Sequence, residues 1–133
     1  MTILLLEDDE TNATLIQYFL EKEGFITLAA KNAEEALRFG DDASQAIDLL
    51  LTDIMLSGCR GTEIAGQLAA TRPGLKTLFM SGYPLDSLSG ELPKDPPLLH
   101  AQMFFLQKPF TGSSLKLKIA EVLGCEVANA PLR

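Results

Sequence analysis

Apolar residues in this chain fall into short blocks, separated by longer stretches where they recur every three or four positions. Blocks at residues 2–6, 25–29, 49–52, 77–80 and 103–106 have strand length. Leu4-Leu5-Leu6 and Leu49-Leu50-Leu51 are unbroken rather than alternating, as in strands covered on both faces of a parallel sheet. Between the blocks, Leu15, Ile16, Phe19 and Leu20 mark one helix face, with Gly24 as its stop. Asn32 and Glu35 stand at capping-box spacing before Ala36, Leu37 and Phe39. Ile64 and Leu68 give a further helix closed by Arg72-Pro73-Gly74, and Leu115, Ile119, Val122 and Leu123 a last one closed by Gly124. Strands alternating with helices predict βαβ units and an α/β fold. One stretch breaks the rhythm. Residues 84–97 carry prolines at 84, 93, 96 and 97, which leaves room only for a short helix around 85–92.

Composition narrows the class. A chain of 133 residues predicts one domain with a core of its own. We place that domain at residues 1–124 and read 125–133 as a tail without a clear pattern. With 18 acidic against 11 basic residues, the net charge is −7. That argues against direct nucleic-acid binding and against attraction to anionic membranes, both of which need a basic field. No apolar run is long enough for membrane insertion, and the first residues lack the basic start of a signal peptide. Cys59 and Cys125 make neither a metal-ligand spacing nor a disulfide framework. A reducing, cytoplasmic setting is the expectation.

The candidate chemistry lies where the strands end. In an open parallel sheet, ligands bind outside the carboxyl ends of the strands. Glu7, Asp8 and Asp9 follow the first apolar block, Asp53 the third, Ser81 the fourth and Lys108-Pro109 the fifth. Carboxylates brought together repel unless a hard cation neutralises them, and a few oxygen ligands completed by water suit Mg²⁺. A lysine and a hydroxyl beside them suit phosphoryl oxygens. A carboxylate can itself be the nucleophile, forming an aspartyl-phosphate. Each also has a plainer reading: the acidic triplet as a helix cap, Asp53 as a turn residue, Ser81 as a turn hydroxyl, Lys108 as a solvated lysine or a structural partner of Asp53, and Phe105 as plain core. Taken alone, the triplet and Phe105 fit either reading equally, whereas the functional reading is favoured at Asp53, Lys108 and Ser81.

Together, Leu4-Leu5-Leu6-Glu7-Asp8-Asp9, Asp53-Ile54-Met55-Leu56, Met80-Ser81-Gly82-Tyr83 and Gln107-Lys108-Pro109-Phe110 resemble the signature segments of response-regulator receiver domains from two-component signalling. The resemblance runs over about residues 2–124. It implies a flavodoxin-like (βα)5 fold, a five-stranded parallel sheet in order 2-1-3-4-5 flanked by helices, here with an irregular or shortened fourth helix. It implies Asp53 as phosphoacceptor and Mg²⁺ as cofactor. The ligands would be Asp8, Asp53 and the Met55 backbone carbonyl, with Glu7 acting through water. Lys108 would bind the phosphoryl group, and Ser81 and Phe105 would form the switch pair. The implied partner is a sensor histidine kinase or a histidine phosphotransfer protein, together with a downstream protein that reads the switch. Such a domain assists its own phosphorylation and dephosphorylation without being a turnover enzyme.

Three features depart from the family pattern. Ser57 stands where many members carry proline, Gly82 replaces the commoner alanine, and the proline-rich stretch replaces a well-formed helix. No output domain follows residue 124, as expected of either a stand-alone regulator or a receiver taken from a hybrid kinase or larger regulator. Three other readings compete. A phosphatase of the haloacid-dehalogenase type would need Asp-x-Asp after the first strand, where Glu7 and Asp9 stand. A flavodoxin-like cofactor binder would need a Ser/Thr/Gly phosphate loop there. An interaction module of the same fold would not need the site at all.

Overall fold

The computed structural model describes residues 1–56, 59–81 and 103–124. Five strands form one sheet: β1 (Thr2–Leu6), β2 (Ile26–Ala30), β3 (Leu49–Asp53), β6 (Lys76–Ser81) and β7 (Met103–Gln107), in order β2-β1-β3-β6-β7. Every pairing is parallel, with Ile3 opposite both Thr27 and Leu49, and Asp53 opposite Met80. Counting these five strands alone, the order is 2-1-3-4-5, as the resemblance implied. A small antiparallel pair, β4 (Met55–Leu56) and β5 (Cys59–Arg60), sits between β3 and the next helix.

The described helices are α1 (Glu10–Lys22), α2 (Ala33–Asp41), α3 (Gly61–Thr71) and α4 (Gly112–Leu123). Side chains alternate across a strand, so the leucine runs of β1 and β3 feed two cores. Leu4, Leu6 and Leu50 pack with Ala36 of α2 and with Ile64, Ala65 and Leu68 of α3. On the other face, Ile3, Leu5, Leu49 and Leu51 pack with Ile16 and Leu20 of α1 and with Leu115, Ile119 and Val122 of α4. Each fully buried leucine contributes roughly 1.5–3 kcal/mol. Among the described residues, α2 and α3 cover one face and α1 and α4 the other, which explains why these strands carry no polar alternation.

The helix ends follow local chemistry. Asp9 caps α1, accepting from the amides of Thr11 (2.9 Å) and Asn12 (3.2 Å). Asn32 caps α2 by accepting from the Glu35 amide at 2.9 Å. The Glu35 side chain reaches back to the amide of Lys31 (2.8 Å), so the reciprocal half of the box falls one residue earlier than the spacing predicts. Gly24 and Gly124 end α1 and α4 with φ of 93° and 71°. Arg72 does more than stop α3. Its guanidinium donates to the carbonyls of Gly40 (3.1 Å), Asp42 (2.9 Å) and Gln45 (2.8 Å), fixing the loop that leads into β3. The expectations about residues 84–97, Ser57, Gly82 and the tail at 125–133 concern positions outside the described residues.

Candidate functional site

The carboxyl edge of the sheet gathers charge from three strands. Glu7 continues β1, its amide donating to Ala30 O at 3.2 Å. Asp53 is the last residue of β3, and Lys108 comes directly after the last residue of β7, with a cis peptide to Pro109. Glu7 is 2% exposed and Asp53 8%. Glu7, Asp8 and Asp53 each offer a carboxylate oxygen, all lying within 4.8 Å of one another. The Lys108 ammonium reaches Asp53 Oδ1 at 2.7 Å. Ser81 ends β6 one step beyond Met80, the register partner of Asp53. Met55 opens β4 two residues after Asp53.

The electrostatics are unbalanced at Glu7. Its Oε2 accepts from the Asp9 amide at 3.1 Å, while its Oε1 is buried without a donor among the described residues. Burial, then a hydrogen bond shared with Asp53 and the charge of Asp53, pushes the Glu7 carboxyl from its ordinary 4.5 up to about 8. The Asp9 amide and Lys108 act in the opposite direction. Two neighbouring carboxylates are both acceptors, so only a proton or a cation can sit between them. Hard oxygen donors from three carboxylates, with one donor-less buried oxygen among them, fit a small divalent cation such as Mg²⁺.

The sequence placed Glu7, Asp8, Asp53, Ser81 and Lys108 at strand ends, and all five lie at this edge. Asp9 separates from its neighbours, because its carboxylate serves α1 as a cap. Phe105 is half-buried on β7, stacked on the fully buried Phe79 with ring centroids 5.4 Å apart and planes 26° from parallel.

Two contributors escaped sequence reading. Gly61 starts α3 so close to β3 that a Cβ there would collide with the Asp53 carbonyl oxygen. Thr52, wholly buried, donates its hydroxyl to that same oxygen at 2.9 Å. The glycine at the head of an apolar helix was the available signal for the first. Thr52 gave none, because threonine is an ordinary strand residue.

A doubly wound α/β domain with an acidic, lysine-bearing site at the strand ends defines a class in which ligands bind at that edge. Residues 3–120 match the response regulator receiver domain family, and the chain belongs to it. It is a receiver domain of two-component signalling. The sensor kinase CckA of Brucella abortus is 29% identical over 122 residues, covering 92% of this chain and 12% of that protein. The CheY-like receiver domain protein of Methanospirillum hungatei JF-1 superposes with a TM-score of 0.78 at 28% identity, covering 92% of this chain and 93% of that one. The response regulator TrrA of Thermotoga maritima, solved in complex with Mg²⁺-BeF, gives 0.71 at 25% identity, covering 91% and 97%. The chain spans about half or less of the length of the curated relatives it matches. Among the described residues, no helix is long and apolar enough to cross a membrane.

Proposed function

We propose that this domain accepts a phosphoryl group on Asp53 and uses the modification as a switch. The observation that carries the reading is the convergence on one buried carboxylate of Lys108, at 2.7 Å, and of the Glu7–Asp8 pair. An Asp53 oxygen attacks phosphorus, the P–N bond of a phosphohistidine breaks as the P–O bond forms, and the imidazole leaves with a proton from solvent. The Lys108 ammonium, already beside Asp53, passes to a phosphoryl oxygen of the product. Asp8, Asp53 and the Met55 carbonyl would hold Mg²⁺, with Glu7 acting through water. When bound, the cation neutralises the carboxylates and the charge of the transferring group. The Mg²⁺-BeF complex of the related TrrA is consistent with this assignment.

The Ser81 hydroxyl then engages the phosphate, and Phe105 turns inward, biasing a two-state surface that a protein partner reads. The phosphoryl donor is a sensor histidine kinase or a histidine phosphotransfer protein in the cytoplasm. The domain assists its own phosphorylation and hydrolysis and does not turn over a separate substrate. The functional domain is residues 1–124. With a net charge of −7, its output runs through protein rather than direct nucleic-acid contact.

The test is incubation with acetyl phosphate and Mg²⁺, reduction with borohydride and mapping of the adduct by mass spectrometry. A single modified residue, Asp53, is expected. An adduct elsewhere, or none, overturns the reading.

A further inference from the structure

Thr52 lies between Leu51 and Asp53, and its side chain is fully buried on the α2–α3 face of β3, in line with Leu50 and Ile54. A valine has nearly the same shape and would suit that apolar setting, so packing does not explain the hydroxyl. Its hydrogen bond, 2.9 Å to the carbonyl oxygen of the very next residue, joins no two elements. What it fixes is the orientation of one peptide, Asp53–Ile54.

Two neighbours hold the same peptide and the one after it. The bare Cα of Gly61 packs against the Asp53 carbonyl oxygen, where any side chain would collide. The Gly61 amide donates to Ile54 O at 2.6 Å, and the Ile54 amide donates to Met80 O at 3.2 Å. The chain is therefore pinned on successive groups as it leaves the sheet. That segment carries the Asp53 carboxylate, and Met55 follows at once.

We infer that Thr52 and Gly61 are positioning residues for the acidic site. The hydroxyl on one side and the missing side chain on the other set the direction in which the Asp53 carboxylate and the Met55 carbonyl leave β3. The inference rests on reading Asp53 as the acceptor and cation ligand. Without the hydroxyl, the buried Asp53 carbonyl oxygen loses this hydrogen bond, and the peptide is held less firmly by the contacts that remain. The carboxylate then spends less time where Asp8 and Lys108 meet it. Groups that orient metal ligands typically affect metal affinity by about 10–100-fold.

The experiment measures binding of Mg²⁺ alone by isothermal titration, for wild type, Thr52→Val, Thr52→Ser and Gly61→Ala. Each protein is held below its own metal-free unfolding midpoint, so that lost stability does not mimic lost affinity. The rate of Asp53 labelling by acetyl phosphate is read in parallel. Thr52→Val is expected to weaken Mg²⁺ binding about 10-fold and to slow labelling. Thr52→Ser, which keeps the donor, should stay close to wild type, and Gly61→Ala should behave like Thr52→Val. A Thr52→Val protein that binds Mg²⁺ as well as wild type overturns the inference. So does a loss that Thr52→Ser fails to recover, since the effect would then belong to packing. If Thr52→Val is unfolded at every temperature, Gly61→Ala decides by the same criterion. A wild-type chain that neither binds Mg²⁺ nor labels at Asp53 overturns the acceptor reading itself, a result separable from any difference among the variants.

Discussion

Leu4, Leu5 and Leu6 of β1 and Leu49, Leu50 and Leu51 of β3 are fully buried in the two apolar clusters. One or two residues further along the same strands, Glu7 and Asp53 are buried almost as deeply, at 2% and 8% exposure. Depth is the same, but the physics is opposite. Burial of the leucines drives folding. Burial of the carboxylates opposes it, because desolvation and mutual repulsion both disfavour charge. Lys108 answers Asp53, but among the described residues no donor reaches Glu7 Oε1. The middle of the sheet supplies the stability that lets its carboxyl edge stay unsatisfied, and an unsatisfied anionic edge is what a cation and a phosphoryl group can complete.

The sharpest way to break the comparison is to separate chemistry from stability. Asp53→Asn should abolish labelling by acetyl phosphate while unfolding stays cooperative, as followed by mass spectrometry and circular dichroism. Residual labelling at the wild-type rate would remove Asp53 from its role. Leu51→Ala, two residues away on the same strand, should do the reverse. It should lower stability by about 2–5 kcal/mol in urea titration, with the labelling rate of the folded fraction unchanged. If Leu51→Ala slowed labelling at full folding, the core and the edge would not be separable.

A smaller effect should come with pH. In the metal-free protein, Glu7 keeps a proton up to about 8, while its ordinary value is 4.5. Below the lower value both folded and unfolded chains are protonated there. Between the two, only the folded chain holds the proton, so rising pH favours unfolding. Stability should therefore fall from about pH 4.5 to about pH 8 and then level off. Thermal unfolding in EDTA across that range measures it. Glu7→Gln should remove this part of the slope, and saturating Mg²⁺ should flatten it, because the cation takes the place of the proton. A Glu7→Gln protein with the wild-type profile would show that Glu7 is not the group responsible.

Much of this architecture is legible in the sequence, for reasons that particular residues make plain. The unbroken leucine runs gave both central strands, because burial on two faces leaves no room for polar alternation. Strand limits drifted by a residue or so at β2 and β6, where Ala30 and Lys76 belong to the strand but not to the apolar block. The placement of the acidic and basic candidate residues at the sheet's carboxyl edge was readable because each follows an apolar block. The β4–β5 pair was not, since two-residue strands carry no period. Gly61 and Thr52 depend on how closely α3 approaches β3, a distance no local pattern encodes. Arg72 read as a helix stop, while its contacts lie some thirty residues away in sequence. Arg60 precedes α3 but has no acceptor to cap it. Only the return half of that motif forms, a long contact of 3.4 Å from its amide to Glu63 Oε1.

The smallest effect divides residues that sequence alone leaves side by side. Asp8 and Asp9 are adjacent, exposed acids at the head of α1. Asp8 belongs to the carboxylate cluster with Glu7 and Asp53, whereas Asp9 Oδ1 is committed to the amides of Thr11 and Asn12. Asp9 serves the site only through its backbone, whose amide donates to Glu7 Oε2, and alanine keeps that amide. Asp9→Ala should therefore cost about 1 kcal/mol of stability, the usual worth of an N-cap, and leave Mg²⁺ affinity near wild type. Asp8→Asn should show the converse, with clearly weaker Mg²⁺ binding in isothermal titration and little change in unfolding. Matching losses of Mg²⁺ affinity in the two variants would mean that the acids act as one diffuse negative patch. The division between a capping carboxylate and a ligand carboxylate would then be wrong. Unequal losses in the stated direction would place the boundary between the edge of the site and the scaffold at the bond joining residues 8 and 9.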